Sequence, residues 1–306
     1  MEGKIKKILK KNIDIKESIK EKIKTILLSI FLVSIVITIS MYWYDQYTFY
    51  STEEYNSMDE EGVMDEESWC LESNNVAVIN IHGDIVTYLS DYYYEEDSDS
   101  LPPDLVSSEE IVFYIDEMEK NNNIKAIILD IDSYGGYPVA SEEIMNAIKR
   151  AKKPTVAVIR EGGVSGAYLI ASGADKIYAS EMSDVGGIGI TMSYLDYSQQ
   201  NREENIIYQE LSSGKFKDTG DPNKELTAEE RELFMRDINT LHEVFVRKVA
   251  ENRGLDIEKV EKLADGSTLL GKAAKENGLV DEIGDIYDAE EWIIKELKIE
   301  PEFCVY

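Results

Sequence analysis

Histidine and cysteine are nearly absent from these 306 residues, with two of each. The two cysteines, Cys70 and Cys304, are too few for a disulfide framework, although they could pair in an oxidising compartment. With so few thiols and imidazoles no zinc-ligand spacing occurs, and no metal site is expected. Basic residues are also short: 32 Lys and Arg face 61 Asp and Glu, for a net charge of −29. Phosphate would be repelled, so nucleic acid is excluded as a partner. No internal repeat is visible, and the chain is long enough for one sizeable core or two modest ones.

The few bases are unevenly placed. Residues 1–24 hold nine lysines and only Glu2, Asp14, Glu17 and Glu21 as acids. Thr25 to Tyr44 then run for twenty residues without a charge. That length spans a bilayer as one helix, and Trp43 with its neighbouring tyrosines suits the far interface. The lysine-rich flank stays in the cytoplasm by the positive-inside rule, which puts the rest of the chain outside. A cleaved signal peptide fits less well, because no small-x-small site follows the long apolar run. The expected layout is a basic cytoplasmic segment (1–24), a transmembrane anchor (25–44), an acidic linker (45–74) and a soluble domain (75–306). Beyond residue 24 the balance is 23 bases against 57 acids. Such a body stands off anionic lipid.

In the body, Val76 to Ile85 alternates and predicts a strand ending at Gly83. Thr87 to Pro103 is a tyrosine- and acid-rich loop. Ser107 with Glu110 predicts a capped helix through about Lys120. Ile124 to Ile131 is nearly all apolar, as a central parallel strand should be. Gly135-Gly136 ends it. A helix from about Val139 to Ala151, a strand from Thr155 to Ile159 and another from Lys176 to Ala179 follow. This alternation predicts an α/β fold with a parallel sheet, whose sites form at the carboxyl ends of strands. Asn205 to Leu211 reads as a further strand, and Ser212 to Pro222 as a loop. Thr227 with Glu230 caps a long helix to about Arg253, and Tyr287 to Leu297 is a last amphipathic helix. The glycines of Val185 to Ile190 lack the dinucleotide spacing.

At Glu161 to Asp175, EGGVSGAYLIASGAD, a strand runs into two glycines, one serine, a further glycine and a helix. A serine at a strand-to-helix turn is lifted toward solvent, beside backbone N–H groups that can hold an oxyanion. Read from these residues alone, Ser165 is either such a nucleophile or the polar residue of a tight turn. His82 lies in a strand-like run and His242 on a packed helix, so neither suggests a histidine-based triad.

Several ordered motifs over roughly Val76 to Gly284 resemble the signal peptide peptidase A family of serine peptidases. These are VAVINIHGDI, DIDSYGG followed by ASEEI, KKPTVAVI, VSGAYLIASGADKIYAS, SGKFKDTGDP followed by LTAEER, and AKENGLVDEIG. The resemblance implies a Clp-protease/crotonase-like parallel-sheet domain behind the transmembrane helix. It also implies Ser165 as nucleophile, Lys217 as general base, and an oxyanion site from the N–H of Gly166 and of Gly135 or Gly136. Lys215 is the nearby competitor for the base. A lysine accepts the serine proton only when neutral, a form that burial in a water-poor site favours. No cofactor is implied. The implied substrates are signal peptides or other membrane-derived peptides and small proteins, and the implied assembly is a homo-oligomer with serine and lysine from neighbouring subunits.

The family's G-S-I-G motif appears here as Gly186-Gly187-Ile188-Gly189, without the serine hydroxyl that orients the lysine. Ser183 or Thr191 is then the substitute to look for, and a serine at 187 is expected to raise the rate. Asp184 close to Lys217 would keep that lysine charged. The alternative reading is a weak or silent family member acting as a membrane-anchored oligomeric scaffold. Coenzyme A thioester chemistry, known for the crotonase branch, conflicts with the anchor.

Overall fold

A computed structural model describes residue 71, residues 73–89 and residues 105–306. The expected anchor, most of the linker, Cys70 and most of the tyrosine-rich loop lie outside the described residues. Among the described residues no helix is long and apolar enough to cross a membrane.

The run VAVINIH forms β1 (Val76–His82), and after Gly83 the chain resumes as β2 (Asp84–Val86). Strand β3 (Leu105–Ser107) pairs with β2 in a small parallel sheet. Ser107 then caps α1 (Ser108–Lys120) by accepting from the Glu110 N–H. The predicted alternation follows as β4 (Ala126–Ser133), α2 (Pro138–Arg150), β5 (Thr155–Val164), α3 (Gly166–Ser172) and β6 (Lys176–Ala179). The remaining elements are β7 (Asp184–Gly186), α4 (Ser198–Glu203), α5 (Ala228–Arg253), α6 (Ile257–Glu261), β8 (Thr268–Leu270), α7 (Gly271–Asn277), β9 (Glu282–Ile283), α8 (Ile286–Leu297) and β10 (Phe303–Val305).

The main sheet runs β10-β1-β4-β5-β6-β9, with every neighbouring pair parallel. Strand β7 joins the far half of β5 in parallel, and β8 pairs with β7 antiparallel. The apolar run of β4 is explained by burial on both sides. Ile127, Leu129 and Ile131 face a core completed by Ile111 and Ile115 of α1, Ile144 and Ile148 of α2, Ile170 of α3 and Val249 of α5. Ala126 and Ile128 face a second core with Ala289 and Ile293 of α8. Period-2 side chains on a doubly covered strand leave no polar face.

Two sequence expectations change, and one further strand appears. Residues 205–211 form no strand: Ile207 is 80% and Leu211 96% exposed, and among the described residues no strand lies alongside. β-propensity without a partner edge does not make a strand. Strand β5 runs on to Val164 instead of stopping at Ile159, because β7 pairs with its second half. Strand β10, too short to carry a pattern, closes the sheet edge beside β1.

Leu129 is fully buried at the centre of the sheet. Leu129→Ala should cost about 2–5 kcal/mol, through lost transfer energy and a cavity the rigid sheet cannot collapse into. Chemical denaturation followed by circular dichroism measures it; a loss under 1 kcal/mol, read by that method, contradicts the central placement.

Candidate active site

Strand β5 is built in two halves. Its first half keeps strict register with β4 up to Ile131 opposite Ile159, and the next pair is Ser133 opposite Gly163. This bulge turns the strand away from β6 and onto β7, where Gly162, Gly163 and Val164 pair with Asp184, Val185 and Gly186. The strand ends at Ser165, whose N–H donates to the Gly186 carbonyl at 2.7 Å. Ser165 has φ +55° and ψ −124°, and α3 begins at the next residue. A side-chain-bearing residue held there costs about 1–3 kcal/mol, and surrounding contacts must impose it. The strand-to-helix turn expected at Ser165 is therefore present in the backbone.

Two amides face this elbow. The Ile85 N–H donates to the Gly135 carbonyl at 3.0 Å, and the Tyr137 N–H donates to the Ile85 carbonyl at 2.8 Å. In such a parallel bridge the N–H of the intervening Gly136 points to the other side, away from β2. A Cβ on Gly136 would lie 2.0 Å from the Ile85 carbonyl oxygen, so only glycine fits. The Gly136 nitrogen is 3.4 Å from where a Cβ on Gly166 would sit, which brings the two backbones together. Among the described residues neither the Gly136 nor the Gly166 N–H has a hydrogen-bond partner. The Gly135 N–H is instead engaged by the Ser133 hydroxyl at 3.1 Å. Of the two glycines considered for the oxyanion site, Gly136 is thus the one with a donor to spare.

Ser165 opens into a cavity of about 100 Å³. Val139, Leu169, Ile190, Leu241, Val244 and Phe245 make its walls apolar. One ion pair interrupts them, with Lys248 Nζ 2.9 Å from Glu142 Oε1.

Lys217 sits elsewhere within the chain. It is exposed in a run of turns, with its N–H donating to the Gly214 carbonyl, and no hydrogen bond joins it to Ser165. Lys215 is held by Glu229 at 2.6 Å and lies over the Phe216 ring. Among the described residues Lys217 has no carboxylate partner; Asp184 accepts from Thr268 Oγ1 at 3.1 Å. Ser183 is no substitute for the missing hydroxyl. It is buried, accepts from the Ser180 N–H, and donates toward the Ile159 and Arg160 carbonyls, where it fastens the bulge of β5. Thr191 is exposed beside Ser193. His242 bonds the Ala264 carbonyl through Nε2 as part of packing, and His82 lies 3.5 Å from Asp130. Among the described residues no cluster of His, Cys, Asp and Glu could hold a metal.

One group of residues was not legible in the sequence. Lys224 Nζ lies 2.9 Å from Glu230, 3.2 Å from Glu210 and 3.6 Å from Asp218. The Glu230 carboxylate also accepts from the Thr227 N–H and hydroxyl, both at 2.9 Å. These bonds, the Thr227 backbone first and then Lys224, hold the Glu230 carboxyl down at about 2. Its capping box with Thr227 could be read from T-A-E-E; the lysine on its other oxygen could not.

The sequence profile described as Peptidase family S49 matches residues 147–300. A putative protease of Methanocaldococcus jannaschii is 39% identical over 177 residues, which is 57% of this chain and 57% of that protein. A putative signal peptide peptidase SppA of Enterococcus faecium is 33% identical over 186 residues, 60% of this chain and 54% of that protein. The matched part thus spans little more than half the length of either relative. Among solved structures, a ClpP1 mutant of Listeria monocytogenes aligns with TM-score 0.44 at 19% identity, over 69% of this chain and 92% of that one.

The geometry at Gly187 reverses the expectation for a serine there. Its φ is +58°, and an added Cβ would lie 2.5 Å from Val164 Cγ1, on the residue just before Ser165. Gly187→Ser should destabilise the fold by about 1–3 kcal/mol and lower activity. A stability at or above wild type in thermal melts would show that Val164 yields freely. The Glu230 pair predicts a pH dependence. Its folded value is depressed from 4.5, so its stabilisation is present above that value and is lost as pH falls toward about 2. Glu230→Gln should flatten the acid side of the stability curve between those limits; an unchanged acid slope would contradict the buried pair.

Proposed function

The chain belongs to peptidase family S49, and on that premise we propose that it is a membrane-anchored serine endopeptidase with a Ser165–Lys217 dyad. The observation that carries this reading is the backbone of Ser165, held at φ +55° between a strand and a helix beside the N–H groups of Gly136 and Gly166, unpaired among the described residues. A tight turn with no chemistry has no use for that cost.

The Ser165 Oγ attacks the peptide carbonyl carbon as its proton passes to the neutral amine of Lys217. The carbonyl electron pair moves to oxygen, where the Gly136 and Gly166 N–H groups hold the negative charge. Collapse breaks the C–N bond, and the amine leaves with the proton from Lys217. Water then attacks the acyl-serine by the same route, which releases the acid and restores the hydroxyl. No cofactor enters these steps.

Lys217 is exposed and bonded to no group of its own active centre, so the dyad is completed between neighbouring copies in a homo-oligomer. Exposed Tyr194, Leu195, Ile206, Ile207 and Leu211 supply apolar surface for that contact. Burial there would also give a lysine the water-poor setting a base requires. The cavity beside Ser165 accepts an apolar side chain of about leucine size. Signal peptides left in the membrane, or other small membrane-derived and misfolded proteins, provide such side chains. The name of the Enterococcus relative points the same way. The uncharged run 25–44 supports a centre outside the cytoplasmic membrane, close to these substrates.

Casein cleavage by the full-length chain at alkaline pH should fall by about 10³-fold or more in both Ser165→Ala and Lys217→Ala. Mixed and reassembled, the two inactive proteins should recover part of the rate. Activity kept by Lys217→Ala would remove the dyad, and inert mixed oligomers would put the site within one chain. A folded, oligomeric wild type that cleaves nothing would leave the scaffold reading in place.

A further inference from the structure

Before Lys217, its turn is held by the Gly214 carbonyl and by the exposed Lys215–Glu229 pair; most of its fixing points come after it. Asp218, the next residue, accepts from the Tyr208 hydroxyl at 2.6 Å and meets Lys224 Nζ at 3.6 Å. Asp221 accepts from both the N–H and the side chain of Asn223. Asn223 in turn bonds Asn201 of α4 at 3.1 Å, and the Pro222 carbonyl accepts from the Tyr197 N–H at 2.7 Å. The Thr219 hydroxyl is buried without a partner among the described residues, a cost that a turn imposed by stronger neighbouring bonds can carry.

Lys224 is where these contacts meet the rigid body of the protein. Glu230, in the first turn of the 26-residue helix α5, has a side chain only 4% exposed. Its two oxygens are divided. Oε2 takes the N–H and hydroxyl of Thr227 and completes the helix cap without help from any lysine. Oε1 takes Lys224. The cap therefore does not explain Lys224. What Lys224 adds is a bond from α5 outward to Asp218, beside Lys217, and to Glu210 in the extended segment before it. Three carboxylates converge on this one ammonium, with Asp221 nearby. Without the charge they repel one another and the turn is released.

We propose that Lys224 is a positioning residue: it locks the turn bearing Lys217 to the N-terminus of α5, and so sets the reach and environment of the base. The inference rests on Lys217 being the base. A lysine held in a water-poor position reaches its neutral form at lower pH than one swinging in solvent. Displacement of the turn should thus move the acid limb of the rate profile, which a general loss of folded protein does not do.

The test compares the full-length chain with Lys224→Met and Lys224→Arg, using Lys217→Ala as control. In Lys224→Met, kcat should fall about tenfold or more with KM little changed. The acid limb of kcat/KM should move up by about half a pH unit or more. Lys224→Arg, which keeps the charge, should recover most of both. Hydrogen exchange should speed up over residues 214–220 in Lys224→Met and stay slow in β4. An exchange pattern and limb like wild type overturn the proposal, as does a loss of rate with an unmoved limb and no rescue by arginine. Lys217→Ala reports separately on the dyad: if it remains active while Lys224→Met loosens the turn, the base assignment has failed and the lock has not.

Discussion

The backbone of Ser165 is the constraint around which the chain is arranged. A residue with a side chain held at φ +55° and ψ −124° costs about 1–3 kcal/mol, which its two flanks must impose. On one flank β5 must continue past Ile159, which requires a bulge and a new partner strand, β7. Ser183 fastens the bulge from beneath, and the Gly186 carbonyl takes the Ser165 N–H. On the other flank α3 is buried throughout, with the Tyr168 hydroxyl bonded to the Leu279 carbonyl. Burial pushes that phenol well above its usual range, so the anchor stays neutral and in place. The elbow is thus imposed from two sides by segments far apart in sequence.

The same demand explains the glycines around it. Gly136 lets the β2 backbone and the elbow approach from opposite sides of one peptide, which leaves its N–H turned away from β2 and close to Gly166. Gly187 lies in the space claimed by Val164, so the hydroxyl expected there is excluded by the same strand extension that creates the elbow. The glycine at 187 is thus a packing consequence of how this chain builds the turn at Ser165.

Much of this was legible beforehand where a pattern was local. The doubly apolar Ile127–Ile131 stretch, the Ser107 and Thr227 caps and the strand-to-helix step at Ser165 all depend on residues within a few positions of one another. Non-local partners were not legible. Asn205 to Leu211 has the composition of a strand, yet only a neighbouring edge makes it one, and none is present among the described residues. The engagement of the Gly135 amide by Ser133 follows from turn geometry that D-S-Y-G-G does not specify. The convergence of Glu210, Asp218 and Glu230 on Lys224 spans twenty residues of irregular chain and has no periodic signature.

These two parts meet in a division of labour set by charge. In a body with 57 acids and 23 bases, a lysine beside a carboxylate is held charged and useless as a base. Lys215 is spent on Glu229 and Lys224 on three carboxylates, while Lys217 between them is left with none among the described residues. On the proposed reading, Lys224 orders the turn, and Lys217, with no carboxylate partner among the described residues, is left for the chemistry. Ser165 is built rigidly into the end of a sheet strand. Lys217 rides on an exposed turn tied to the first turn of α5. On the proposed reading, the exposed turn is the half that is presented to another copy of the chain.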